Sequence, residues 1–382
     1  MKFGKKNKVN LNILSYNICL LGESKVGKTT LIKEVCEKVV GEDGYLFLEM
    51  GSERGADAIE GINYVNCPVW DMEYDEWTNS AGYMDVIDDI VENRTEKYSE
   101  LKTVVIDTYD HMIQCSEQEA IDMWNRECIK NGKPTVNTIN EAWGGYGRGE
   151  KKAIALIMES FARLKNVGIG TVVIGHVKNK DITDVMTGET YQVLTSDQQS
   201  NYFNALKKNL HFLGLAYIDR EIVKEKTGKK VPGTKKDEYM GKISGESRKI
   251  KFRDDNYAVD SGCRFADIVP EIPLDADAFI KALTDAIKSE ASKGSEPVAD
   301  LEKEQKTAEA ERMKQIAEVE AANKVKKELD EINSKIKEFC TVNKSKPAAL
   351  KPLIEAAKAC GLKNPMAAED VETARKILSA IA

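Results

Sequence analysis

The sequence predicts an α/β chain: a mainly parallel sheet with an antiparallel edge hairpin, followed by a C-terminal helical region. Three observations lead there. Short apolar runs alternate with helix-period segments from about residue 13 to about residue 220. The pattern G-x-x-x-x-G-K-S/T stands at residues 22–29, between one such run and the helical segment after it. Beyond Ser289 the chain is charged, with apolar residues at every third or fourth position.

In order, strands are expected at Asn17–Leu21, Tyr45–Leu48, Thr103–Ile106, Thr171–Ile174 and Phe212–Tyr217. They are near-continuous apolar runs, as strands covered on both faces must be. Helices are expected at Thr29–Val40, Tyr83–Asn93, His111–Asn131 and Lys151–Lys165; in the first, Leu31, Ile32, Val35, Cys36 and Val39 share a face. Between Ile218 and Phe265 the pattern changes to alternation broken by a Gly/Lys-rich turn, which reads as an antiparallel hairpin at a sheet edge. An amphipathic helix, Asp275–Ser289, closes this part. The expected organisation is a basic N-terminal arm (1–12), the α/β domain (13–288), a linker (289–300), a charged helix (301–340) and a small helical region (341–382) broken at Gly361 and Pro365. In the charged helix Ala322, Val325, Leu329, Ile332, Ile336 and Phe339 form a stripe. It serves either a short coiled coil or packing onto the helices that follow.

Bulk properties set limits. With 382 residues the chain can build a large core domain and a smaller unit, and a net charge of −7 restricts any nucleic-acid contact to a local basic patch. The eight Cys show no zinc-like spacing and several lie in apolar runs, so reduced, packed thiols in the cytoplasm are expected. The basic start, Met1–Lys8, is followed by no apolar signal region, and no stretch approaches the roughly 20 apolar residues of a membrane span.

The chemistry is concentrated in Gly22-Glu23-Ser24-Lys25-Val26-Gly27-Lys28-Thr29-Thr30. The glycines let successive backbone N–H groups curl around an anion. Lys28 supplies a point charge to the β/γ-phosphates, the Thr29 hydroxyl ligates Mg²⁺, and the helix N-terminus adds its partial positive charge. Thr103-Val104-Val105-Ile106-Asp107 is an apolar strand ending in an acid that would meet the water shell of that cation. Hydrolysis also needs a group to orient water. Glu49, ending the Tyr45 strand, and Glu53 in Gly51-Ser52-Glu53-Arg54-Gly55 are the two candidates; each is otherwise a solvated loop carboxylate. His176, after Thr171–Gly175, is placed to sense the γ-phosphate. A GTPase is disfavoured. In Asn179-Lys180-Asp181 the acid comes one position too early, and Asp107–Asp110 lacks the glycine of D-x-x-G.

Together these residues resemble RecA-like P-loop ATPases, and more closely the phage-type AAA-domain nucleotide-binding proteins that include the Sak-group single-strand annealing ATPases. The resemblance is carried by Gly22–Thr30, Tyr45–Gly55, Val104–Asp107, Trp143–Gly149 and Val172–Lys178, and spans about Leu14–Glu271. It implies a RecA-like core, ATP and Mg²⁺ as cofactors, a homo-oligomer, and single-stranded DNA as partner in recombination or strand annealing. The sequence departs from the family at Gly51, where the water-activating glutamate is usual, so hydrolysis is expected to be slow or to rely on Glu53. Trp143, Tyr146 and Arg148 sit in a Gly-rich stretch that either stacks on bases or caps the next helix. Lys229, Lys230, Lys235 and Lys236 in the hairpin turn either track a phosphate backbone or form a solvated tip diluted by acids. Arg264 is a candidate finger toward a neighbour's γ-phosphate. A different reading is an ATP-dependent loader or switch that recruits a single-strand-binding or replication partner through the C-terminal helices.

Overall fold

A computed structural model describes residues 8–52, 54–183, 188–230, 237–253, 261–294, 297–344 and 346–381. In chain order the elements are β1 (Ile18–Gly22), α1 (Lys28–Val40), β2 (Tyr45–Met50), β3 (Tyr64–Cys67), α2 (Tyr83–Glu92), β4 (Thr103–Asp107), α3 (Tyr109–Lys130) and α4 (Arg148–Asn166). They continue with β5 (Gly170–Thr183), β6 (Thr190–Ser196), α5 (Ser200–Asn209), β7 (Phe212–Lys230), β8 (Asp237–Lys251), β9 (Gly262–Cys263), β10 (Glu271–Pro273) and α6 (Ala276–Ser292). Last come α7 (Val298–Val342), α8 (Pro347–Ala359) and α9 (Val371–Leu378).

The sheet order is β10-β8-β7-β1-β5-β4-β2-β3. From β7 to β3 all neighbours along this path are parallel, while β8 and β10 add an antiparallel edge. This is the predicted α/β class: a mostly parallel sheet with an antiparallel edge and C-terminal helices. The apolar runs become strands because both faces are covered. Ile18 and Leu20 of β1 join Leu31, Val35, Phe279 and Leu283 of α1 and α6 in one core. The alternating Cys19 and Leu21 are equally buried, as are Met112 of α3 and Ile157 of α4. The described cysteines are all free thiols.

Some elements were not anticipated. β3 is four residues of mixed polarity, Tyr-Val-Asn-Cys, with a burial pattern too short to read. β6 and α5 lie in a polar segment; β6 exists because β5 runs on past the sheet and pairs with it antiparallel from Val177 to Thr183. Strand β5 therefore ends nine residues beyond Ile174, where its expected apolar stretch stops.

The chain divides into two compact units, Met1–Val91 with Tyr98–Lys306, and Glu92–Lys97 with Thr307–Ala382. Three expected boundaries are corrected. The linker shrinks, because α6 continues to Ser292 and α7 starts at Val298. The charged helix begins earlier than residue 301 and contributes its first residues, to Lys306, to the first unit. The expected N-terminal arm shortens, because Val9 and Leu11 pack on the core and the Leu11 N–H donates to Gln305 at 3.1 Å. Within the second unit Ile332 and Ile336 of α7 meet Leu353, Ala357, Ala374 and Ile377 in a core of their own, with Leu329 and Phe339 beside them. The stripe thus serves local packing; Val325, which a coiled coil would bury, is 55% exposed.

Candidate nucleotide-binding site

The loop after β1 is shaped by backbone. Gly27 has φ 105° and Lys25 has φ 61°, so the chain turns through the left-handed region twice before α1 begins at Lys28. Gly22 is needed for a different reason: a Cβ there would stand 2.7 Å from the Ala216 carbonyl oxygen on β7. Lys28 is buried, and its ammonium donates to the Gly22 and Glu23 carbonyls at 3.1 and 2.9 Å, which holds the charge over the loop.

The C-terminal ends of the strands bring in the rest. Thr29 Oγ1 donates to Asp107 Oδ2 at 2.7 Å. Asp107 on β4 is the register partner of Glu49 on β2, which puts two carboxylates side by side. Glu49 is 4% exposed; its Oε1 accepts from the Ala56 N–H at 2.9 Å, and its Oε2 has no hydrogen-bond partner among the described residues. Burial pushes the Glu49 carboxyl above the ordinary range, and the nearby Asp107 charge adds to this. His176 lies opposite Gly22 in the β1–β5 register, at the last sheet position before β5 changes partner. Its Nδ1 meets Asp110 Oδ2 at 2.7 Å, its backbone N–H donates to the same oxygen at 3.2 Å, and Gln198 donates to the other carboxylate oxygen.

These groups border a cavity of about 550 Å³ lined by Ser24, Lys25, Gly27, Lys28, Thr29 and Thr30, by Glu49, Asp107, Thr108 and His176, and by Gly55, Ala58, Ile59 and Arg248. A larger cavity, about 890 Å³, lies beyond Gly51; Asp71, Glu73, Asp75, Glu119 and Asp122 outnumber Arg54 and His111 in its lining, an acidic balance that disfavours a polyphosphate. The smaller one is the candidate phosphate site.

The predicted loop residues, Glu49, Asp107 and His176 are thus brought together. Glu53 lies outside the described residues. Arg264, expected to reach a neighbour's γ-phosphate rather than this cavity, sits beside β9, where its guanidinium donates to the Leu210 carbonyl at 2.8 Å and to the Lys208 carbonyl at the C-terminal end of α5. No local pattern around Arg264 points to those acceptors. Trp143 is half-buried: its Nε1 donates to the Ala120 carbonyl at 2.9 Å and its ring packs 5.5 Å from Trp124. Tyr146, by contrast, is 96% exposed, and Arg148 is exposed with it. Lys229 and Lys230 end β7, and Lys235 and Lys236 lie outside the described residues. Sequence reasoning missed Ala58, Ile59 and Arg248. The first two follow an unreadable loop, and Arg248 is hidden in a run of alternating cations.

The residues fit a nucleoside triphosphate with Mg²⁺. A glycine-turned loop and a lysine border a cavity, a hydroxyl and a carboxylate converge within hydrogen-bond reach, and one buried carboxylate oxygen lacks a partner among the described residues. No helix among the described residues is long and apolar enough to cross a membrane. No curated protein matches the chain. The sequence model of a family described as an AAA domain matches residues 14–243, which covers every residue of the cavity except Arg248. The chain belongs to this AAA-domain family, whose ATPase-type domain binds nucleotide.

Proposed function

We propose that the chain is a RecA-like ATPase that acts on single-stranded DNA, in recombination or strand annealing of the phage type, as a homo-oligomer. The observation that carries the ATPase reading is the pairing of Thr29 with Asp107 beside the half-satisfied, buried Glu49. The loop amides and Lys28 would hold the phosphates, and Thr29 and Asp107 would hold Mg²⁺. When bound, the cation offsets phosphate charge and makes the γ-phosphorus more electrophilic. Glu49 then acts as the base. Its Oε2 has a vacant lone pair and its burial makes it a better proton acceptor than an exposed glutamate. His176, whose Nδ1 meets Asp110, lines the same cavity and is assigned to a phosphate oxygen. Glu49 thereby takes the role that Gly51 leaves vacant.

The DNA reading is supported by the stretch before α4. Trp143, Gly144, Gly145, Tyr146 and Gly147 all have positive φ, and this run displays the Tyr146 ring to solvent beside Arg148. A non-glycine residue held there exposes an aromatic face at a backbone cost, which suits base stacking. The test is ATP turnover with and without single-stranded DNA. Stimulation is expected in the wild type and not in Tyr146→Ala; turnover indifferent to DNA, with no shift of labelled DNA at low salt, removes the DNA role.

The independent core of α7–α9 favours a further, compatible reading in which the second unit recruits a replication or single-strand-binding partner. Deleting residues 307–382 should then spare turnover and abolish recruitment.

A further inference from the structure

Arg248 stands on β8 opposite Ile218 of β7, two residues along β7 from the Ala216 that touches Gly22. Its own carbonyl accepts from the Leu274 N–H at 2.9 Å, so the backbone is fixed from the β10 side. The side chain crosses to the phosphate loop, where Nη1 donates to the Val26 carbonyl at 3.2 Å. A guanidinium has five N–H donors. Here one carbonyl is the only hydrogen-bond acceptor it meets among the described residues, and the remainder of the group borders the cavity that holds Lys28, Thr29 and His176.

The neighbours on β8 show that this is particular to Arg248. Lys249 is held by Asp219 at 2.8 Å and Glu271 at 3.1 Å, and Lys251 lies over the Tyr217 ring. Both are spent on local pairs. Arg248 has no carboxylate partner among the described residues, although Glu49 and Asp107 line the same cavity. A cation left uncommitted at the rim of a polyanion site is drawn to the polyanion, and a planar fork suits phosphate oxygens better than an ammonium does.

We propose that Arg248 is a phosphate-contacting residue of this nucleotide site, supplied in cis by the edge hairpin. The contact ties nucleotide occupancy to β8: bound triphosphate fixes Arg248, and Arg248 fixes the register of the hairpin strand that carries it. The proposal rests on the nucleotide reading above, and the experiment separates the two.

Fluorescent MgATP would be titrated against wild type, Arg248→Ala, Arg248→Lys and Lys28→Ala, with apo melting temperatures measured in parallel. Hydrogen exchange of amides 246–251 would be compared with and without nucleotide. Arg248→Ala should weaken binding by about tenfold or more at an unchanged apo melting temperature, with partial rescue in Arg248→Lys. Nucleotide should slow exchange in β8 of the wild type and not of Arg248→Ala. Wild-type affinity in Arg248→Ala, or a loss of affinity that follows a lowered apo melting temperature in both Arg248 variants, overturns the proposal and leaves a structural bond to Val26. Retained binding in Lys28→Ala would instead overturn the nucleotide site itself.

Discussion

Thr29 Oγ1 and Asp107 Oδ2 are 2.7 Å apart, although the strands that deliver them are not neighbours: β5 lies between β1 and β4. The hydroxyl gets there because α1 starts above the sheet, at the end of a loop that has turned back over β1. The bond joins two groups separated by 78 positions in sequence. Asp107→Asn keeps the acceptor oxygen but loses the charge. It should retain nucleotide binding within about tenfold and lose Mg²⁺-dependent turnover by at least about 100-fold, as read by phosphate release over a Mg²⁺ titration.

Glu49→Gln separates catalysis from binding in the same way, with a second signature. The amide can still accept from the Ala56 N–H, so the loop should hold. Turnover should drop roughly 10²–10⁴-fold. Because the folded-state pKa of Glu49 is raised, the folded protein binds more protons than the unfolded chain between the ordinary and the raised value. Stability is therefore lost as pH rises through that window. The variant should melt higher than wild type at neutral pH, and the acid limb of wild-type turnover should lie above the usual glutamate range.

His211 gives the opposite sign. Its Nδ1 accepts from the Asn17 N–H at 3.2 Å, and burial, then the charges of Arg264 and Lys165, push its pKa down to about 4. An unfolded histidine takes up its proton near 6.5, so folding is progressively destabilised as pH falls from there to about 4. Melting temperature measured from pH 7 to pH 4 should fall in the wild type. The slope over this window should be shallower in His211→Asn.

Tyr146 and Trp143 should part company on substitution. Tyr146→Ala removes an exposed ring and should leave the melting temperature within about a degree. Its affinity for single-stranded DNA should fall roughly 5- to 100-fold, the worth of one base stack. Trp143→Ala removes a ring packed on Trp124 and a bond to the Ala120 carbonyl, so it should lower the melting temperature first. Fluorescence anisotropy with a labelled oligonucleotide, beside thermal melts, checks both.

The phosphate loop, Asp107, Glu49 and His176 were readable because each stands where an apolar strand stops, and strand ends in a parallel sheet converge. Most helices were readable from their periodicity. What escaped depended on pairing rather than composition. β6 exists only because β5 continues as a polar ribbon, and β3 because β2 offers an edge. Arg248 and Arg264 show the same limit for side chains. Both are arginines in alternating or turn sequence, yet one reaches the loop at Val26 and the other binds carbonyls at the C-terminal end of α5. No local pattern distinguishes them, since their acceptors lie 222 and 54 positions away.

Gly22 bears on how inactive variants should be interpreted. Any side chain at this position collides with Ala216 on β7 before it can disturb an anion. A genetic screen would recover Gly22 substitutions alongside those at Lys28, and the two would look alike in an activity assay. They would report different injuries: one wedges two strands apart, the other removes a charge from an intact framework. Lys28 and Thr29 are the clean probes of this pocket, whereas Gly22 belongs with the residues that let the sheet close.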